Sequence, residues 1–244
     1  MIQSEHLEHI LFIDIETVSC FPDWASVPQR NQTLWARKAE TLQRGLDTPV
    51  AIDQLYTDRA AIFAEFGRVV CISAGFLRAF GKKYQLRLKS FASHDEAQLL
   101  QEFGQIADQF MTRPIRNLCA HNGKEFDFPY LGRRFLVHGL PLPRALRVQG
   151  KKPWEIPFLD TMDLWRFGDH RTYVSLDLLA DTLNIPSPKS DMTGADVGTV
   201  YWQDKDLNRI KRYCELDVVA TAQIMLHFCG ESIDLELDHA DQLA

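Results

Sequence analysis

The chain has 244 residues, 45% of them hydrophobic and 25% charged, proportions that suit a water-soluble fold with a substantial core. A formal net charge of −6 excludes a global basic field of the kind that grips long duplex nucleic acid, so any such contact must be local or metal-assisted. Five scattered cysteines without a CxxC pair read as reduced thiols, and MIQSEHLEHI lacks a signal-peptide pattern, so a cytoplasmic setting without membrane association is expected.

In chain order, the first element is an apolar run from Ile10 containing "FIDIET", residues 12–17. Its period of two places Ile13 and Ile15 on one face and Phe12, Asp14 and Glu16 on the other. Residues 19–66 form a polar stretch broken by Pro22, Pro28 and Pro49, with helix-like pieces around 34–43 and 58–66. Strands are expected over 68–76 and 84–91, joined by a turn at Gly81-Lys82-Lys83. Ser93 and Glu96 have the spacing of a capping box, followed by Leu99, Phe103, Ile106 and Phe110 at helical intervals. A short strand follows at 117–121, then a helix from Asp127 to about His138.

A proline-rich loop over 139–157, carrying Lys151-Lys152, leads to a strand at 158–160. Ser175 caps a short helix with Leu176, Leu179 and Leu183 on one face. After a loop at 185–203 comes the last helix, about 205–228. The tail from Glu231 to residue 244 is acidic and expected to be loose. Three early strands followed by alternating helices and strands predict an α/β fold with a mixed sheet, residues 1–230 forming a single domain with a helical insertion at 19–66.

Three patterns bear on function. Asp14 and Glu16 share a strand face. In "HNGKEFDFPYL", residues 121–131, Asp127 opens a helix after a strand. In "YCELD", residues 213–217, Tyr213 and Asp217 stand four apart and so stack on one helix face. Each has an ordinary structural reading when taken singly. The first could be the wet face of an edge strand, the second a helix N-cap, the third a hydrogen-bonded core pair.

Taken together, Asp14-x-Glu16, Asn122-x4-Asp127 and Tyr213-x3-Asp217 resemble, in order and separation, the three exonuclease motifs of the DEDD superfamily. Tyrosine in the third motif indicates the DEDDy branch; the histidine branch would place His where Arg212 stands. "HNGKEFDFPYL" and "FLDTMDLW" are similar to the proofreading domain of family-B DNA polymerases and its stand-alone relatives. The resemblance runs from about Ile10 to Phe228. It implies an RNase H-like fold with a five-stranded mixed sheet flanked by helices, and 3'-5' exonuclease activity on single-stranded DNA ends.

The same resemblance implies two divalent cations, Mg²⁺ or Mn²⁺, held by Asp14, Glu16, Asp127 and Asp217. Asp14 would bridge both ions, Glu16 and Asp217 would complete the site of the attacking water, Asp127 would anchor the second ion largely through water, and Tyr213 would orient the water. Hard cations take oxygen ligands, which suits four carboxylates where His/Cys clusters would not. Substrate contacts are expected from Thr17, Val18, Asn122, Phe126 and Lys189, whereas Asp160 and Asp163 read as strand-end and turn residues beside the site. The motifs do not separate DNA from RNA, and an inert exonuclease fold that only binds nucleic acid is the reading from a different class; all five motif positions being intact counts against it.

Overall fold

The computed structural model describes residues 3–44, 48–81, 83–112, 116–169, 171–186 and 192–239. Strands β1 (Ile10–Ser19), β2 (Gly67–Phe80), β3 (Lys83–Ala92), β4 (Asn117–Ala120), β5 (Phe158–Asp160) and β6 (Leu235–His239) form one sheet in the order β5-β4-β1-β2-β3-β6. The pairs β1–β2 and β2–β3 are antiparallel, while β1–β4, β4–β5 and β3–β6 are parallel, so the sheet is mixed as the sequence predicts. Helices α1 (Gln29–Leu42), α2 (Ile52–Arg59), α3 (Glu96–Phe110), α4 (Asp127–Val137), α5 (Thr161–Arg166), α6 (Leu176–Thr182), α7 (Val197–Thr199) and α8 (Leu207–Phe228) complete the fold.

The alternation along β1 decides which layer each residue joins. Leu11, Ile13 and Ile15 pack with Leu99, Phe103, Leu131 and Phe135 of α3 and α4. Phe12 goes to the opposite layer, with Val218, Ala222 and Met225 of α8. Asp14 and Glu16, two and four residues on, therefore share the α8 side. The register of β1 against β2 shifts between Glu16 and Thr17, a bulge at the point where the acids end.

Several expectations are corrected. The sheet has six strands rather than five because Leu235–His239, placed in the loose tail by its acidity, pairs with β3. Its acids complement basic residues of that edge: Asp234 bonds Lys83, and Asp238 lies 3.9 Å from the Arg87 guanidinium. Leu235 meanwhile packs on the core between the sheet and α8. In the insertion, the second helix runs over Ile52–Arg59, because Leu55, Tyr56 and Ala60 close a small core with Trp35 and Ala39. Phe63 and Phe66, placed in a helix by their spacing, sit in the turn that feeds Gly67.

The capping box at Ser93 also fails. Asp95 caps α3 by accepting from the Gln98 amide at 3.1 Å, and the Glu96 carboxylate turns inward to the Val69 amide, Arg134 and His138. The expected loop at 185–203 contains short helical turns over Gly194–Asp204 among its described residues.

Candidate active site

β1 delivers the first two carboxylates. Glu16 is buried and Asp14 half-buried, both beneath α8, where the Cys214 thiol donates to the Asp14 carbonyl at 3.3 Å. Single ligand atoms of Asp14, Glu16 and Cys214 all lie within 4.8 Å of one another. The Oδ2 atom of Asp14 is buried and has no hydrogen-bond partner. An orphaned carboxylate oxygen at the centre of an acidic cluster is a costly arrangement, and it asks for a ligand.

Asp127 arrives from the other side. β4 pairs with β1 only as far as Cys119 opposite Phe12, then ends at Ala120, so the Ile15 amide loses its strand partner. The Asp127 Oδ1 atom takes that place, accepting from the Ile15 amide at 3.2 Å. Asp127 is the first residue of α4 and not its N-cap; Phe126 holds that position without a side-chain bond. The carboxylate thus couples helix to strand.

The turn before α4 is built around Asp160. Its Oδ1 accepts from the amides of Asn122 (2.9 Å) and Met162 (3.0 Å), and its Oδ2 from the Lys124 amide (3.0 Å). Those bonds hold Asn122 in the left-handed region (φ 60°), where asparagine is tolerated. Gly123 is demanded by close approach, since a Cβ there would meet the Ala120 Cβ at 2.5 Å and the Phe128 ring at 3.0 Å. Asp160 is therefore spent on structure, in agreement with its reading as a strand-end residue. His121 sits beside it, bonded to Thr161 and the Val174 carbonyl, and burial pushes its pKa down, keeping the ring neutral.

α8 supplies the remainder. Ile210, Cys214, Val218 and Met225 face the sheet, and Tyr213 and Asp217 stand at the margin of that stripe, close enough for the Tyr213 hydroxyl to ease the ionisation of the Asp217 carboxylate. Burial is the main cause of every carboxyl shift here. It pushes Asp127 up to about 7, with Asp160 and Asp217 adding to the effect against the backbone bonds. Asp217 is likewise pushed up to about 7, despite the Tyr213 bond and with Asp177 of α6 opposing its ionisation. Asp14 and Glu16 are raised well above the carboxylate range by burial and by each other's neighbours in the cluster. Burial and the surrounding acids also raise Tyr213, so its phenol remains protonated and acts as a donor.

The expected substrate contacts divide. Thr17 is buried near the Tyr130 hydroxyl; Val18 is fully buried among Val70, Val197 and Ile210, so its side chain belongs to the core. Asn122 leaves its buried Oδ1 without a partner at the turn, and Phe126 lies half-buried against Tyr130. Lys189 lies outside the described residues. Sequence reading did not single out Asp177, whose place two residues after the Ser175 cap sets it beside Asp217.

The family of predicted 3'-5' exonucleases related to the exonuclease domain of PolB matches residues 62–243, most of the chain. This chain belongs to that family. No curated protein matches it. The matched region contains Asn122, Asp127, Tyr213 and Asp217 and begins after β1, which carries Asp14 and Glu16. Members of such exonuclease families generally use divalent metals and act on nucleic acid. The donor set is compatible with a hard divalent cation: Asp14 and Glu16 lie at ligand spacing, one Asp14 oxygen is orphaned, and Asp127 and Asp217 stand near enough to oppose the ionisation of both. Cys214, the soft atom nearby, is held as a thiol by burial and is occupied by the Asp14 carbonyl.

Proposed function

We propose that the protein removes mononucleotides stepwise from 3' ends of single-stranded DNA by hydrolysis dependent on two divalent cations, Mg²⁺ or Mn²⁺. The observation that carries this reading is the convergence of Asp14, Glu16, Asp127 and Asp217 from three separate elements around an unpartnered carboxylate oxygen. These four residues would hold the cations. Such ions supply an activated water, neutralise the phosphate and stabilise the leaving 3'-oxygen.

The chain's own groups do the rest. The Ile15 amide fixes the Asp127 carboxylate, and the Asp160 turn fixes the backbone that leads to it. Tyr213, which keeps its proton and lies beside Asp217, orients the attacking water through its hydroxyl and is a poor general base. Asn122 offers its free amide oxygen at the turn beside Asp127, where a terminal nucleotide would lie.

The test is an assay on 5'-labelled DNA and RNA oligonucleotides with Mg²⁺, Mn²⁺ or EDTA. Expected is a descending ladder on single-stranded DNA, abolished by EDTA and by Asp14→Ala or Asp217→Ala in folded protein. Near-normal activity of Asp14→Ala in Mg²⁺, or immediate release of the labelled 5' nucleotide, would refute the assignment. Faster degradation of RNA than of DNA would move the substrate to RNA.

A further inference from the structure

Among the described residues, four non-glycines have a left-handed backbone: Asn122, Phe167, Asn184 and Lys205. Asparagine is at ease there, but for a bulky residue this conformation is an outlier that costs free energy. Phe167 stands at the C-terminal end of α5 (φ 46°, ψ 34°), a position where glycine or asparagine is the usual solution. Its side chain is 92% exposed, so packing gives back almost nothing for the strain. Six residues on, Tyr173 is 66% exposed. Neither ring belongs to a core cluster of the described residues.

In the segment that carries them, hydrogen bonds among the described residues tie the two ends together. The Arg166 guanidinium donates to the Thr172 carbonyl at 2.9 Å, and the Asp169 amide to the Arg166 carbonyl at 2.8 Å, which closes the loop on itself. Asp169 also accepts from the Arg171 amide and the Thr172 hydroxyl. Its outer anchors lead to the site. Arg166 lies 3.5 Å from Glu125, and His121 bonds the Val174 carbonyl at 2.8 Å, both within the segment that delivers Asp127. Immediately after the loop, Ser175 caps α6, whose Asp177 acts on Asp217. The segment that carries the two rings is thus tied to the turn that leads to Asp127 and runs into the helix whose Asp177 acts on Asp217.

We propose that Phe167 and Tyr173 form a stacking platform for the bases of the single strand just upstream of its 3' end. This rests on the exonuclease reading above and names how that site would grip its substrate. Aromatic faces suit an occupant that must be held without regard to sequence, since every base has a π-face. Lys124, Arg166 and Arg171 stand along the same segments and, although paired with Asp163, Glu125 and Asp169, would offset the repulsion between an acidic centre and a phosphate chain. A strained, exposed ring on a segment tied to the candidate site fits the pattern of backbone strain retained for function.

The decisive variant is Phe167→Gly, because glycine relieves the strain while removing the ring. Binding of 5'-fluorescein-dT10 is measured by anisotropy in an Asp14→Asn background with EDTA, which prevents turnover and reduces repulsion. Expected is an affinity loss of roughly five- to a hundredfold, with a thermal midpoint equal to or above that of the parent. Phe167→Trp should retain binding, with its indole fluorescence quenched by the oligonucleotide. With Asp14 intact, Phe167→Gly and Tyr173→Ala should raise KM for dT10 and leave kcat at saturation, and an oligonucleotide abasic at the stacked positions should be insensitive to both. Unchanged dT10 affinity in Phe167→Gly would overturn the platform, as would a lowered midpoint with intact binding, or a change of oligomeric state showing the ring to be a subunit contact. These results leave the exonuclease reading standing if the unsubstituted protein yields its ladder. A protein that neither binds nor degrades any oligonucleotide refutes both.

Discussion

Tyr213 is the residue that separates orientation of a water from proton abstraction. Its hydroxyl lies beside Asp217, and burial among acids raises its pKa, so at neutral pH it keeps its proton and is a poor base. Acid–base groups are worth about 100- to 10,000-fold in rate, and a positioning role falls at or below the low end of that range. Tyr213→Phe should therefore reduce turnover by about tenfold to a few hundredfold, with little change in KM and unchanged metal affinity. Asp217→Asn should be worse, because it removes ligand charge. Single-turnover rates in saturating metal decide the point: full activity of Tyr213→Phe would make the tyrosine a packing residue. The i, i+4 pairing behind this argument depends only on helix geometry, which is why the pair was legible in the sequence. Asp127 was legible as a candidate, but its strand partner Ile15, 112 residues away, was not.

Among the elements, α3, α4 and the insertion are joined by one buried ionic network. Arg134 of α4 donates to both Glu96 oxygens at 2.8 and 2.6 Å and to the Ala64 carbonyl at 2.7 Å; Glu96 also accepts from the Val69 amide and His138. Burial alone would raise the Glu96 carboxyl, but the bonds from Arg134, His138 and Val69 outweigh it and the net shift is downward. Removing one partner of such a pair leaves an uncompensated buried charge. Arg134→Met should accordingly cost about 3–5 kcal/mol, read as a lower urea midpoint, whereas a change below 1 kcal/mol would show the network to be wet or dispensable. The helical spacing after Glu96 identifies α3, yet the same glutamate misleads about its cap. A local pattern registers that Glu stands three residues after Ser, and it holds no information about an arginine 38 positions on.

Across the whole molecule, the site trades stability for function. Without metal, Asp127 and Asp217 titrate at about 7 against ordinary values of 3.8, and Asp14 and Glu16 are also raised, so the folded protein binds protons more tightly than the unfolded chain. Stability from these groups is fully present below the unfolded values and is lost as pH rises toward about 7. Glu96 has the opposite sign: its contribution is present above 4.5 and lost as pH falls through its lowered pKa. In EDTA the thermal midpoint should therefore fall by several degrees between pH 5 and pH 8, at about 2–4 °C per kcal/mol. Saturating Mn²⁺ should flatten the slope, since cations take the place of the protons. A midpoint that is level or rising over that range in EDTA would contradict the crowded-carboxylate account.

The sequence by itself determined the identity and order of the candidate site residues and the alternation that sets Asp14 and Glu16 apart from Ile13 and Ile15. Those features follow from strand and helix periods and from the preference of hard cations for oxygen, and each is local. Tertiary structure alone decided what the acids meet. The Cys214 thiol reaches the Asp14 carbonyl across 200 residues, Asp160 braces the turn ahead of Asp127, the acidic end of the chain becomes β6 because β3 presents Lys83 and Arg87, and Phe167 is left strained and bare. Contacts at such separations are set by how the layers pack, and packing free energy is a property of the assembled core that no window of neighbouring residues contains.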